Sequence, residues 1–111
     1  MPLSPGRAAF NRGDYFQAHE IWENVWQGLD GAERTFVQGL IQIAAGLHHL
    51  QQGRRSPAAG LLRKGLAKLT GETPARFVDL HIDMLTRQIA SLISQLDTTG
   101  TAAPDLAAIQ V

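Results

Sequence analysis

Between Arg34 and Arg54 the chain carries no charged residue, and large apolar side chains recur at Phe36, Leu40, Ile43, Leu47 and Leu50. That spacing defines one stripe of an α-helix, widened by Val37 and Ala44. The other side is mixed, with Gln38, Gln42 and His49 among Ile41 and Ala45. Exposed helix faces carry charges, so a helix without any is contacted on most sides. Gly39 and Gly46 share a side, and each costs roughly 1 kcal/mol in a helix relative to Ala. Close approach of another backbone is the expected compensation. The glutamines and histidines make the run too polar to span a membrane. A central buried helix over about Ala32 to Gln52 is therefore predicted, with the other elements arranged around it.

Those elements are helical too, since no segment alternates with period two over strand length. Ser4-Pro5 reads as an N-cap followed by proline and opens a short helix ending near Asn11. Gly13 breaks the chain, and Asp14 caps a second helix running to about Gln27. The third helix follows the Gly28–Gly31 turn and stops at Gly53. Ser56-Pro57 repeats the cap-plus-proline signature for a fourth helix ending at Gly71. A fifth spans about Leu80 to Leu96, with Asp79 as its cap. A loose repeat sets Gly13, Ala18, Ile21, Trp22 and Trp26 against Gly53, Ala58, Leu61, Leu62 and Leu66, 40 residues on. The predicted fold is an all-α compact bundle of about five helices, built from antiparallel helical hairpins and loosely tetratricopeptide-like. Residues 1–97 form a single helical domain, and 98–111, with Gly100 and Pro104, form a tail expected to fray.

Composition narrows the function classes. Ten basic and ten acidic residues cancel, which gives nucleic acid no electrostatic footprint. The basic residues Arg63, Lys64 and Lys68 fall on the polar face of the fourth helix, where a solvated face is expected. There is no cysteine, so disulfides and thiolate metal sites are excluded. Met1 to Arg7 holds no apolar signal core, and a cytoplasmic setting without membrane contact is expected. A protein or small-molecule partner remains, and a homo-oligomer is compatible with the pattern.

The candidate site lies on the second helix. At 100° per residue, Trp22, Tyr15, Trp26, His19, Glu23 and Phe16 fall within one arc of about 120°, expected to point inward. Charges placed there need partners. Packed antiparallel, the start of the third helix brings Arg34 to Glu23, and Gln38 and Gln42 level with His19. Two readings stand: a buried polar network around His19, Glu23 and Arg34, or a small pocket lined by the same groups. The two Trp residues read first as core and secondly as a ligand platform.

With these residues in place, the chain resembles a known family, the prokaryotic domain of unknown function family 309. The resemblance rests on Phe10 to Trp26, with its His-Glu-x-Trp-Glu-x-x-Trp core, on Glu33 to Gln42, and on Ala59 to Leu66. It implies a small all-helical bundle, and its pattern carries over to His19, Glu20, Trp22, Glu23, Trp26, Arg34, Gln38, Gln42 and His49. His48 stands where members usually have a Tyr. The resemblance leaves the activity open.

Two function classes follow. The first is a binding or protein-interaction module, with Arg34, Gln38, Gln42, His49, Trp22 and Trp26 as binding residues. The second is a small metal-dependent or acid–base hydrolase or lyase using the same cluster, with His19, Glu20 and Glu23 as catalytic candidates. His19 and Glu23 have the i, i+4 spacing of two helical metal ligands, and His49 could supply a third. A divalent metal is thus the one cofactor the pattern admits. Arg34 beside Glu23 would repel it.

Overall fold

The computed structural model describes residues 1–98 and 105–111. Its described residues form α1 (Ser4–Asn11), α2 (Tyr15–Trp26), α3 (Gly31–Gln51), α4 (Arg55–Leu69), a short 3₁₀ turn (Ala75–Phe77) and α5 (Ile82–Asp97). Each helix packs on the next in chain order, most extensively α3 on α4. The chain is an all-α bundle, as its periodicity predicts. None of these helices is long and apolar enough to cross a membrane.

The cap signals are correct in one case and displaced in others. Asp14 accepts from the Gln17 N–H at 3.4 Å and caps α2. Ser4 and Ser56 instead lie inside the first turns of α1 and α4, which leaves Leu3 and Arg54 at the cap positions without side-chain bonds. Proline fits there as well, because the first four N–H groups of a helix have no internal partner. His81, not Asp79, precedes α5.

The 40-residue repeat is a repeat of structure. At the end of α1 the N–H groups of Arg12, Gly13 and Asp14 donate to Ala8, Phe10 and Ala9 at 3.2, 3.0 and 2.9 Å. At the end of α3, Gln52, Gly53 and Arg54 donate to His48, Leu50 and His49 at 3.2, 3.0 and 2.9 Å. These are Schellman turns, which need a left-handed residue at their centre. Gly13 and Gly53 supply it, at φ +85 and +76. Inside each hairpin a glycine on the first helix receives a large side chain from the second. Trp22 lies on Gly6, and Leu62 lies on Gly46. The loose sequence match follows, because the shared parts are small residues and turns while the filling side chain differs.

α3 sits between the two neighbours that its uncharged surface requires. A Cβ built on Gly65 would lie 2.7 Å from the Gly39 carbonyl oxygen, so the α3 and α4 backbones touch. On the α2 side, Trp22 is fully buried and its indole N–H donates to the Leu3 carbonyl at 3.2 Å. The Phe10 ring packs on Tyr15 and Trp22, with centroids 5.1 and 5.6 Å apart.

The expectation for residues 98–111 needs correcting. Gly100 and Pro104 lie outside the described residues, but 105–111 return to the bundle and bury Ile109 and Val111. The Val111 N–H donates to Asn11 Oδ1 at 2.7 Å. Thr and Ala content favours fraying; two branched aliphatic residues and paired main-chain groups outweigh it.

Two glycine substitutions should move stability in opposite directions. Gly6→Ala would drive a methyl group into the Trp22 indole and should destabilise by about 1–3 kcal/mol. Gly60 lies in α4 with open space around it, so Gly60→Ala should stabilise by roughly 0.5–1 kcal/mol. Urea unfolding measures both; a neutral Gly6→Ala would mean that Trp22 can shift freely.

Candidate functional site

The seat of Trp22 on Gly6 fixes how far α2 is rotated. The buried face consists of Tyr15, Ala18 and Trp22, flanked by half-buried Ile21 and Val25. It lies roughly 60° from the arc read from the aromatic and ionisable residues alone. Ala18, Ile21 and Val25 pull the helix round, because small and aliphatic residues also seek the core. Phe16 and Glu23, expected inside, therefore sit at the rim, with Phe16 50% exposed and the Glu23 side chain 47% exposed. No polar or charged residue is fully buried among the described residues. The buried network expected around His19, Glu23 and Arg34 is thus a half-exposed one.

The pairing differs too. Glu23 Oε1 lies 2.9 Å from His19 Nε2, one helical turn away. His19 Nδ1, on the other side of the ring, is buried and has no hydrogen-bond partner among the described residues. Arg34 does not neutralise Glu23. Its guanidinium lies 3.8 Å from the centroid of the Trp26 ring and donates to the Leu29 carbonyl at 3.2 Å. The aromatic face attracts the cation, and the Leu29 carbonyl, in the turn between α2 and α3, accepts from it.

His19 instead joins a cleft between α2 and α3 of about 160 Å³, lined by Phe16, His19, Ala45, His48 and His49. The Phe16 ring stacks on His19 at 6.1 Å and packs against His48 at 5.2 Å. The His49 Nδ1 accepts from Arg54 Nε at 2.9 Å, which ties it to the turn after α3. Burial pushes the His49 pKa down, and the nearby charge of Arg54 and the neighbouring His48 push the same way. His49 is a neutral acceptor near pH 7.

The remaining candidates disperse. Trp22 is core rather than platform, and Trp26 is half-buried beneath Arg34. Gln42 accepts from Lys68 Nζ at 2.9 Å and so faces α4, not His19. Gln38 is half-buried with no side-chain hydrogen bond among the described residues, and Glu20 is exposed. Among the described residues no three His, Cys, Asp or Glu side chains converge as metal ligands, so His19, Glu23 and His49 do not form the expected set. Phe16 and His48 belong to the cleft, although the sequence pattern does not mark them as site residues. Phe16 reads as core by its apolar character, and His48 stands out only as a departure from the family pattern.

The rim geometry and the His49 environment each predict an outcome. Glu23→Gln should cost less than about 1 kcal/mol, as for an exposed pair. Arg34→Ala should cost about 0.5–2 kcal/mol through lost contact with Trp26, and should shift tryptophan emission. Equal losses would restore an Arg34–Glu23 pair. Because folding lowers the His49 pKa, the unfolded chain takes its proton first as pH falls below about 6.5. The His49 contribution is therefore complete above that pH and is lost progressively towards the lower folded value. Stability measured at pH 7.5 and 5.5 should fall less in His49→Gln than in the unaltered chain.

Residues 3–61, which hold α1, α2, α3 and the start of α4, match the family described as a domain of unknown function (DUF309). An uncharacterised protein of Aquifex aeolicus (strain VF5) is 34% identical over 65 residues, covering 58% of this chain. The match spans only 20% of that protein's length. No solved structure matches the chain. The matched span contains both helices that wall the cleft, and with it the chain belongs to the DUF309 family.

Proposed function

We propose that this domain is a protein-interaction module that takes one side chain of a partner into the cleft between α2 and α3. Phe16 carries the reading: its ring is half exposed, yet it is held between the His19 and His48 imidazoles rather than left loose. A fixed, partly exposed aromatic ring beside a small socket is the arrangement of an interface anchor. Size then selects the ligand. A dry cavity of about 150 Å³ accepts a single benzene ring, whereas metabolite pockets run from about 300 to 1,000 Å³. The socket supports a side chain rather than a nucleotide or a sugar.

A protein partner also agrees with the charge distribution. Arg63 pairs with Asp97, and Arg76 pairs with Glu33 through two hydrogen bonds of 2.9 and 3.0 Å. Acid–base chemistry is the second reading, favoured by the His19–Glu23 pair, in which a carboxylate orients an imidazole. The burial of Nδ1 counts against it, since a substrate would reach that nitrogen only after the cleft opened.

Side-chain-sized probes test the proposal without a known partner. Phenol, indole and isobutanol are titrated while the Ala45 amide and the imidazole resonances of His19, His48 and His49 are followed by NMR. Millimolar binding should shift these signals together, and Phe16→Ala should abolish the shifts while costing less than about 1 kcal/mol of stability. Shifts elsewhere, or none with any probe, would remove the socket. Binding retained in Phe16→Ala but lost in His19→Gln would favour the acid–base reading.

A further inference from the structure

Two rows of side chains run along the seam between α2 and α3. On α2, Phe16, His19, Glu23 and Trp26 recur at intervals of three and four residues and share one face. On α3 the row is Arg34, Gln38, Ala45 and His48. The helices are antiparallel, and the rows touch at both ends: Phe16 packs on His48 at 5.2 Å, and Arg34 lies over Trp26 at 3.8 Å. No residue of either row is fully buried. The socket takes up the first end only.

The second end lacks acceptors. Arg34 is held by the Trp26 ring and by one bond, from Nη1 to the Leu29 carbonyl. Among the described residues no carboxylate lies within salt-bridge distance of it; Glu23 turns to His19, and Glu33 is taken by Arg76. The Trp26 indole N–H beside it is buried and unpaired among the described residues. A carboxylate supplies what is missing, because it only accepts and matches the planar guanidinium fork with two parallel bonds. A cation already fixed on an aromatic face loses little freedom on binding.

We infer that the seam is read at two points by one α-helical segment of a partner protein. That segment sets an aromatic side chain into the socket and a carboxylate against Arg34. The inference rests on the socket proposed above and adds the chemistry of its partner. Arg34 and Ala45 are eleven residues apart on α3, about 16 Å at the helical rise. A partner helix laid along the seam covers that distance in eleven residues, about three turns, which brings both side chains back to one face. An extended segment fits worse, since the main-chain groups inside α2 and α3 are paired within their own helices and offer it no ladder. Charge fixes the register. A spacing of seven would set the carboxylate one turn short, towards Glu23, where like charges repel.

Alanine- and glutamine-based peptides of about 20 residues, long enough to form helix in water, test this on the full chain by calorimetry and NMR. They carry one Phe and one Glu eleven positions apart, in either order. The better order should shift the Ala45 amide and the imidazole resonances of His19 and His48, and replacing its Phe by Ala should remove the shifts. Replacing its Glu by Gln, or shortening the spacing to seven, should weaken binding at least fivefold. Arg34→Gln in the chain should cost the same factor, and Arg34→Lys, which keeps the charge but not the fork, should cost less. Arg34→Gln combined with the Gln peptide should cost no more than either change alone, as for two groups that meet. Equal affinity for the Glu and Gln peptides overturns the inference and leaves the socket standing. So does the absence of any peptide response while phenol still shifts the same signals; failure of phenol as well removes the socket itself. A dimer of the unaltered chain that Arg34→Gln dissociates would make a second copy the occupant, and overturns it too.

Discussion

The contact between Trp22 and Gly6 decides where everything else on α2 points. With no Cβ on Gly6, the indole lies against the α1 backbone and its N–H reaches the Leu3 carbonyl at 3.2 Å. The largest buried side chain of the domain is thus locked in position and rotation. Once Trp22 is inward, helical geometry leaves His19 at the edge and Phe16 and Glu23 at the rim. The site is a consequence of packing on the opposite side of its own helix.

That dependence accounts for what could be read from the sequence. The helices were legible because their signals are local: spacing of apolar residues, glycines at the turns, an aspartate before α2. α3 was legible as the central element because a long helix facing water would carry charges, and this one carries none between Arg34 and Arg54. The partner of Arg34 was not legible. Proximity to Glu23 followed from the hairpin, but the choice between a half-exposed carboxylate and the face of Trp26 turns on the rotation of α2. The same rotation decided Phe16, which looks like core in any count of apolar residues.

The segment 105–111 was unreadable for another reason. Its composition is that of a tail, and only two of its residues are large aliphatics that become buried. What holds it comes from outside it, from Asn11 and Gln88, polar residues with no sequence signal that pairs them. Long-range main-chain pairing by side-chain amides leaves no periodicity. Boundaries set by such contacts become visible only in three dimensions.

The internal repeat separates packing from site. Forty residues apart, the glycine that receives a large side chain, the left-handed glycine of the turn and the buried alanine after it all recur, as Gly6, Gly13 and Ala18 and as Gly46, Gly53 and Ala58. These are the positions that the hairpin needs in order to close. The rim does not recur. Phe16, His19 and Glu23 of α2 correspond to Ser56, Ala59 and Arg63 of α4, and His48 and His49 of α3 to Ala8 and Ala9 of α1. The cleft forms where the second helix of one hairpin meets the first helix of the other, and each wall carries residues that the corresponding helix of the other copy lacks. Hairpin packing alone would be met by alanine and serine at these places, as it is in the other copy. The imidazoles and Phe16 are what the proposed socket adds to the packing that the two hairpins share.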